Sequence, residues 1–166
     1  ISNKNINSLI SGYENEIDEA GGSIVSGYQN KVFDVSQVSV FGESNDVSGN
    51  TTNSFVSGRN NMEYNGNENT IVGVENNVID SSLNIVSGYQ NEILTNTSTI
   101  INGEINTIES NINSIINGKD NIVKNNHQVL VEGIQNDVSG NSKNAIIIGK
   151  NHTIFQGEQN AIFGNG

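Results

Sequence analysis

The chain has no cysteine, no proline and no tryptophan among its 166 residues. Without cysteine there is no disulfide framework, no thiolate nucleophile and no zinc–cysteine site. Basic residues are scarce: Lys plus Arg is 7, Asp plus Glu is 18, and the net charge is -11. The sequence pI is about 4.3. Phosphate contacts need clustered Lys and Arg, so a nucleic-acid partner is excluded, as is docking on anionic lipid. The apolar fraction is 33% and the aromatic fraction 5%, both low for a globular enzyme. The longest apolar run, Ala145-Ile146-Ile147-Ile148, falls far short of the ~20 residues of a membrane helix. The opening Ile1-Ser2-Asn3-Lys4-Asn5 lacks the basic-then-apolar pattern of a secretory signal.

Asparagine and glycine fill the gap, with 32 Asn and 18 Gly. Low apolar content with high net charge can mean disorder. Here the apolar residues are mostly Ile, Val, Leu and Phe, and they recur at fixed intervals, which is the mark of an ordered repeat. The anchors are Gly12, Gly27, Gly42, Gly58, Gly73, Gly88, Gly103, Gly118, Gly133, Gly149 and Gly164, spaced by 15 residues with two steps of 16. Two places before the anchor every residue is Ile or Val, from Ile10 and Val25 to Ile147 and Ile162. Three places after it stands Asn, from Asn15, Asn30 and Asn45 to Asn136, and then His152. Five places after it the residue is Ile or Val, as at Ile17, Val32, Val47 and Val78, except at Glu63. Both long steps contain Asn-Asp-Val-Ser-Gly-Asn, at Asn45 to Asn50 and Asn136 to Asn141. The extra residue is expected in that Gly-Asn turn or in a bulge just after it.

Fifteen residues at about 3.3 Å each give a perimeter near ~50 Å, enough for two short strands and two turns. Helical solenoid repeats are longer. The spacing therefore predicts an all-β fold: one domain over 1–166, a parallel β-roll (β-solenoid) of about 11 rungs with 15–16 residues per rung. Gly and Asn are expected to supply its left-handed turns. Alternation puts position −2 on one side and positions −3 and −1 on the other. Position −3 is also mostly apolar, as Leu9, Ile24, Phe55, Ile85, Ile100, Ile115 and Ile146. Where it is Ser39 or Thr70, position −1 becomes Phe41 or Val72, and small Ala161 is accompanied by Phe163. We assign −2 and +5 to the roll interior, and −3 with −1 to an outer face that a second copy of the chain would cover; the alternation by itself also allows the reverse assignment. The repeat is unfinished at Gly164-Asn165-Gly166, so the chain is expected to be a fragment of a longer one.

The strings Asn7-Ser8-Leu9-Ile10-Ser11-Gly12, Asn53-Ser54-Phe55-Val56-Ser57-Gly58 and Asn113-Ser114-Ile115-Ile116-Asn117-Gly118 resemble the head repeats of YadA-like trimeric autotransporter adhesins. The resemblance covers nearly the whole chain, although the period here is longer than the family's usual one. It implies a left-handed roll, a homotrimer joined through one face, and a place on the bacterial cell surface. A coiled-coil stalk and a C-terminal outer-membrane barrel would carry the head. The Asn-, Ile- and Glu-rich composition is similar to that of fusobacterial-type adhesins. That similarity implies a CEACAM-family receptor or another host cell-surface protein as partner, with extracellular matrix as the other choice.

No catalytic, metal-binding or cofactor-binding residues are predicted. His127 and His152 have no partner at a ligand-like spacing, and the acidic group Glu14, Glu16, Asp18 and Glu19 reads as solvated turn. No Gly-x-Ser-x-Gly, Walker or dinucleotide spacing is present. Carbohydrate-processing solenoids have longer rungs and a carboxylate cleft, so the chain reads as a non-enzyme. The Asn column reads as a ladder bonded along the rod. Aromatic anchors often dominate interfaces. Tyr13, Tyr28 and Tyr89 follow the anchor Gly in a turn, while Phe33, Tyr64 and Phe155 stand six after it. Candidate receptor contacts are Phe33, Tyr64, Arg59, Tyr28, Tyr89 and Phe155. The irregular rung around Arg59, Met62, Glu63 and Tyr64 is expected to mark a specialised surface. The function that follows is host adhesion by non-covalent recognition. The alternative is a structural spacer or phage tail-fibre rod without a host ligand.

Overall fold

The structure is a computed structural model and describes residues 7–80, 82–89, 92–94, 97–109, 112–122, 124–125, 127–135, 137–140, 144–151, 153–154 and 161–164. Its parallel strands stack as a β-solenoid, with about eight turns formed on both sides. The larger sheet has eleven strands in sequence order, from Leu9–Tyr13 to Ala161–Ile162. The facing sheet has eight strands, from Glu16–Gly21 to Thr107–Ile108. A further pair joins Asp137–Val138 to Thr153–Ile154. Register follows the repeat: Gly12 lies beside Gly27, Gly27 beside Gly42, and Gly42 beside Gly58.

Of the two assignments the alternation allows, the structure has −2 and +5 inside. Val25, Val40, Val56, Ile71 and Val86 at −2 are fully buried, as are Val32, Val47 and Val78 at +5. Each such side chain contributes roughly 1.5–3 kcal/mol relative to exposure. A third inward column at −4 was not singled out in the sequence. It holds Ser23, Val38, Ser54, Asn69, Asn84 and Ala145, all buried. Its signal was available, since −4 shares its side of the strand with −2. Position −3 faces outward: Leu9 is 64% exposed, Ile85 50% and Ile115 42%. The Phe41 and Phe55 rings lie 5.8 Å apart, so −1 and −3 do share one face.

The expected pair of turns per rung is corrected to three left-handed corners. They fall at +2 (Glu14, Gln29, Ser44), at +7 (Glu19, Asp34, Gly49) and at +10 or +11 (Gly22, Gln37, Asn53). Most are not Gly or Asn, and even Leu83 adopts φ 61°. Neighbouring turns override local preference here, because a carbonyl one turn back accepts the corner N–H. Gln29 N donates to Tyr13 O at 3.0 Å, Gln37 N to Gly21 O at 2.8 Å and Leu83 N to Asn67 O at 3.0 Å. The extra residue of the first long step sits where the sequence placed it. Val32 pairs with Val47, one turn of 15, but Val35 pairs with Thr51, one turn of 16. In the second such stretch Asn136 and Asn141 lie outside the described residues.

The Asn column forms the ladder. Asn45 Nδ2 donates to Asn30 Oδ1 at 2.9 Å in the turn before and to Gly58 O at 3.1 Å in the turn after. Asn45 Oδ1 accepts from both the backbone N and Nδ2 of Asn61, at 3.1 and 2.9 Å. Beyond Gly88 the ladder reverses: Asn106 Nδ2 donates forward to Asn121 Oδ1 at 2.7 Å. The left-handed corner moves there to the residue after the anchor, at Glu104, Lys119, Ile134 and Lys150. Asn91, Asn136 and His152 of this column lie outside the described residues.

At Gly42 φ is +121°, and a Cβ would fall on the carbonyl oxygen of Gly58. Gly42→Ala is therefore expected to cost more than ~2 kcal/mol in chemical denaturation, whereas Gly21→Ala, which meets nothing within 4 Å, should stay within ~0.5 kcal/mol. Asn45→Ala strips one step of a buried ladder and should cost about 2–4 kcal/mol by the same measurement.

Candidate functional site

Two outward columns hold the candidate contacts, and they lie on different sheets. At +1, on the rim of the larger sheet, Tyr13, Tyr28, Glu43, Arg59, Val74 and Tyr89 follow one another in register. These residues end strands such as Leu9–Tyr13 and Ile24–Tyr28. The expectation that they sit in the turn is thus corrected, the corner beginning one residue later. The Tyr13 and Tyr28 rings stack at 5.7 Å and 5°. Partial desolvation and the Glu14 and Glu43 carboxylates raise the Tyr28 phenol above its usual range. Tyr89 does not join this pair, because Glu43, Arg59 and Val74 intervene in the column.

At +6, on the outer face of the second sheet, Ser48 pairs with Tyr64 and Tyr64 with Ile79. Phe33 belongs to the same column, opposite Asp18. Phe33 is half-buried, while Tyr64 is 46% exposed and Met62 beside it 37%. Tyr64 lies against the inserted turn: a Cβ on Gly49 would meet its ring at 2.8 Å. The long rung thus makes room for this aromatic. Phe33 and Tyr64 share a face, Tyr28, Arg59 and Tyr89 share another, and Phe155 lies outside the described residues.

Two depressions lie among the described residues. One, of about 520 Å³, is lined by Glu14, Glu16, Gln29, Lys31, Ser44, Asn45 and Asp46. The other, of about 280 Å³, is lined by Glu19, Asp34, Val35, Ser36, Asn50, Thr51 and Thr52. Gln29 Nε2 donates to Glu14 at 2.8 Å across the first. Among the described residues no group of three or more His, Cys, Asp or Glu is placed to hold a metal ion. His127 is exposed and His152 lies outside the described residues. These features suit surface recognition, with aromatic faces for apolar contact and a mixed-charge rim for orientation.

The irregular rung differs from expectation. Its break in the +5 column is internal, not superficial: Glu63 is fully buried between Val47 and Val78, its register neighbours. Its Oε1 accepts from Ser54 Oγ at 2.7 Å and Asn69 Nδ2 at 2.8 Å. Oε2 has no partner. Burial pushes the carboxyl up to about 7, against the pull of the Asn69 and Ser54 hydrogen bonds. Gly66 compensates for the long side chain, since a Cβ there would fall on Glu63 Oε1. At this +8 position other turns carry Ala20, Val35 and, after the insertion, Thr51. The coincidence of an acid at +5 with a glycine at +8 was the sequence signal for an internal pair.

Gly66→Ala alone should destabilise the chain by about 1–3 kcal/mol, and Glu63→Val should relieve that cost when added to it. Equal, additive effects in a double-mutant cycle would break the pairing. Against known proteins, no family model matches the chain, and no curated protein matches it.

Proposed function

We propose that this chain is the head of a bacterial surface adhesin: a left-handed parallel β-roll of about 11 rungs that assembles as a homotrimer and binds host surfaces. The observation that carries the reading is the outer aliphatic line at −3. Leu9, Ile24, Phe55, Ile85, Ile100, Ile115 and Ile146 are each 39% exposed or more. Contiguous apolar surface of this kind marks an interaction site. The compensation of Ser39 by Phe41 keeps the line continuous, as a lengthwise contact requires. A second copy in register would present the same period, so a self-association seam needs no new pattern. The resemblance of the rung motif to trimeric adhesin heads supplies the count of three, the handedness and the cell-surface location.

In this reading the −3/−1 face is consumed by assembly. The Tyr28–Arg59 rim and the Phe33–Tyr64 column remain for a partner, a CEACAM-family receptor, another host cell-surface protein or extracellular matrix. Three parallel copies would raise avidity without strong single-site contacts. The net charge of -11 limits nonspecific attachment to anionic surfaces.

Light scattering over a dilution series should give a stable mass near three times 17.8 kDa. Changing Ile24, Ile85 and Ile115 together to Ser should dissociate it to monomer with its strand circular dichroism retained. A folded monomer in the unaltered chain would end the trimer reading. The trimer should bind cells that display a CEACAM-family receptor, and Phe33→Ser with Tyr64→Ser should weaken that binding by tenfold or more. An intact trimer that binds neither host cells nor matrix would favour the spacer rod.

A further inference from the structure

Glu63 is the sole ionisable residue among the buried side chains described. Its setting is unfavourable for an anion. The register neighbours Val47 and Val78 are fully buried valines, and one carboxylate oxygen has no hydrogen-bond partner. An unpaired buried charge costs far more than a neutral acid in the same place. No cation on the packed elements faces it. Arg59, on the strand Phe55–Arg59, points to solvent, and the strands Thr70–Val74, Asn77–Ile79 and Thr51–Thr52 carry no ionisable side chain. Asp46 on Asp46–Ser48 is half-buried on the outer side, Tyr64 on Glu63's own strand is exposed, and Glu68 and Asp80 in the adjoining corners are exposed.

The corner that closes over Glu63 is short and is bonded to the turns on both sides: Asn65 N donates to Ser48 O at 3.1 Å, Glu68 N to Thr52 O at 3.0 Å and Leu83 N to Asn67 O at 3.0 Å. Gly66 N donates to Thr51 Oγ1 at 3.1 Å, Thr52 N to Gly66 O at 2.9 Å, and Asn69 N to Ser54 Oγ at 3.3 Å. Asn65 and Glu68 both adopt left-handed φ, at 52° and 57°. Opening this corner breaks those bonds, while the strand Met62–Tyr64 can stay paired with Asp46–Ser48 and Asn77–Ile79.

We propose that Glu63, Ser54, Asn69 and Gly66 form a protonation-controlled latch: the neutral carboxyl holds the 65–69 corner closed, and loss of its proton releases that corner to water. The device is independent of any receptor. It lies directly behind the outward Met62 and Tyr64, so the same strand reads pH on one side and presents an aromatic on the other. The sign follows from linkage. The closed corner raises the carboxyl to about 7, from an ordinary value of 4.5. The closed form therefore holds the proton more tightly. Its advantage is complete below the ordinary value, shrinks as pH rises, and is gone above about 7.

Amide hydrogen exchange on the intact chain at pH 5.5 and 8.5, corrected for the intrinsic base-catalysed rate, tests this. Protection at Gly66, Asn69 and Thr52 should fall about thirtyfold between the two values, while Ile24 and Lys31 in distant turns keep theirs. In Glu63→Gln the three amides should show no such fall. If that variant does not fold, Glu63→Val with Gly66→Ala restores the usual residue types of both columns and should be equally insensitive. Unchanged protection in the native chain, or the same fall in either variant, would overturn the latch.

Discussion

Stacking a chain on itself every 15 residues brings the same backbone groups to the same place in every turn. At the anchor, Gly27 and Gly42 approach so closely that a Cβ on the first would meet the carbonyl oxygen of the second. This contact sets which residue can stand there, and it also leaves a carbonyl pointing along the rod. The Asn three residues later takes that carbonyl: Asn30 Nδ2 donates to Gly42 O at 2.9 Å. Its own oxygen accepts from Asn45, and the unit repeats. Asn30, Asn45 and Asn61 thus each span three turns, which is how a roll with a thin interior holds its register.

The interior follows from this stacking. With the turns fixed at one strand spacing, the −2 and +5 columns become continuous rows of β-branched residues that fill a narrow space. There is room for Val and Ile, and little for anything longer. Glu63 fits only because Gly66 gives up a side chain beside it. Burying that carboxyl without a partner for Oε2 is the evident local conflict in an otherwise consistent column. Such conflicts in a regular fold are where function tends to reside.

The outer surfaces differ in character. One face of the larger sheet carries the exposed aliphatic line at −3. Its rim carries Tyr13, Tyr28, Arg59 and Tyr89, and the outer face of the second sheet carries Phe33 and Tyr64. The aromatic candidates thus form two surfaces, a partition that numbering alone obscures: Tyr28 and Phe33 are five residues apart in the sequence but belong to different sheets.

Much of the architecture was legible in the sequence. The return of Gly, Val or Ile, and Asn at fixed offsets gave the period, the parallel stack, the inward columns and the Asn ladder. The doubled Asn-Asp-Val-Ser-Gly-Asn located the inserted residue. A repeat is a one-dimensional property, and alternation converts it directly into faces. The corners were not legible, because at Gln29, Gln37 and Leu83 a left-handed φ goes with an N–H that a carbonyl of the preceding turn accepts. Nor was the side on which Glu63 lies: an acid in an aliphatic column reads as a break until Ser54, Asn69 and the space above Gly66 are brought around it. The sequence by itself determined the repeat and what each column must be. The tertiary structure decided the three corners, whose N–H groups reach carbonyls a full turn away along the chain, and the one buried carboxyl among the described residues, which Ser54, Gly66 and Asn69 surround from other sides of the roll.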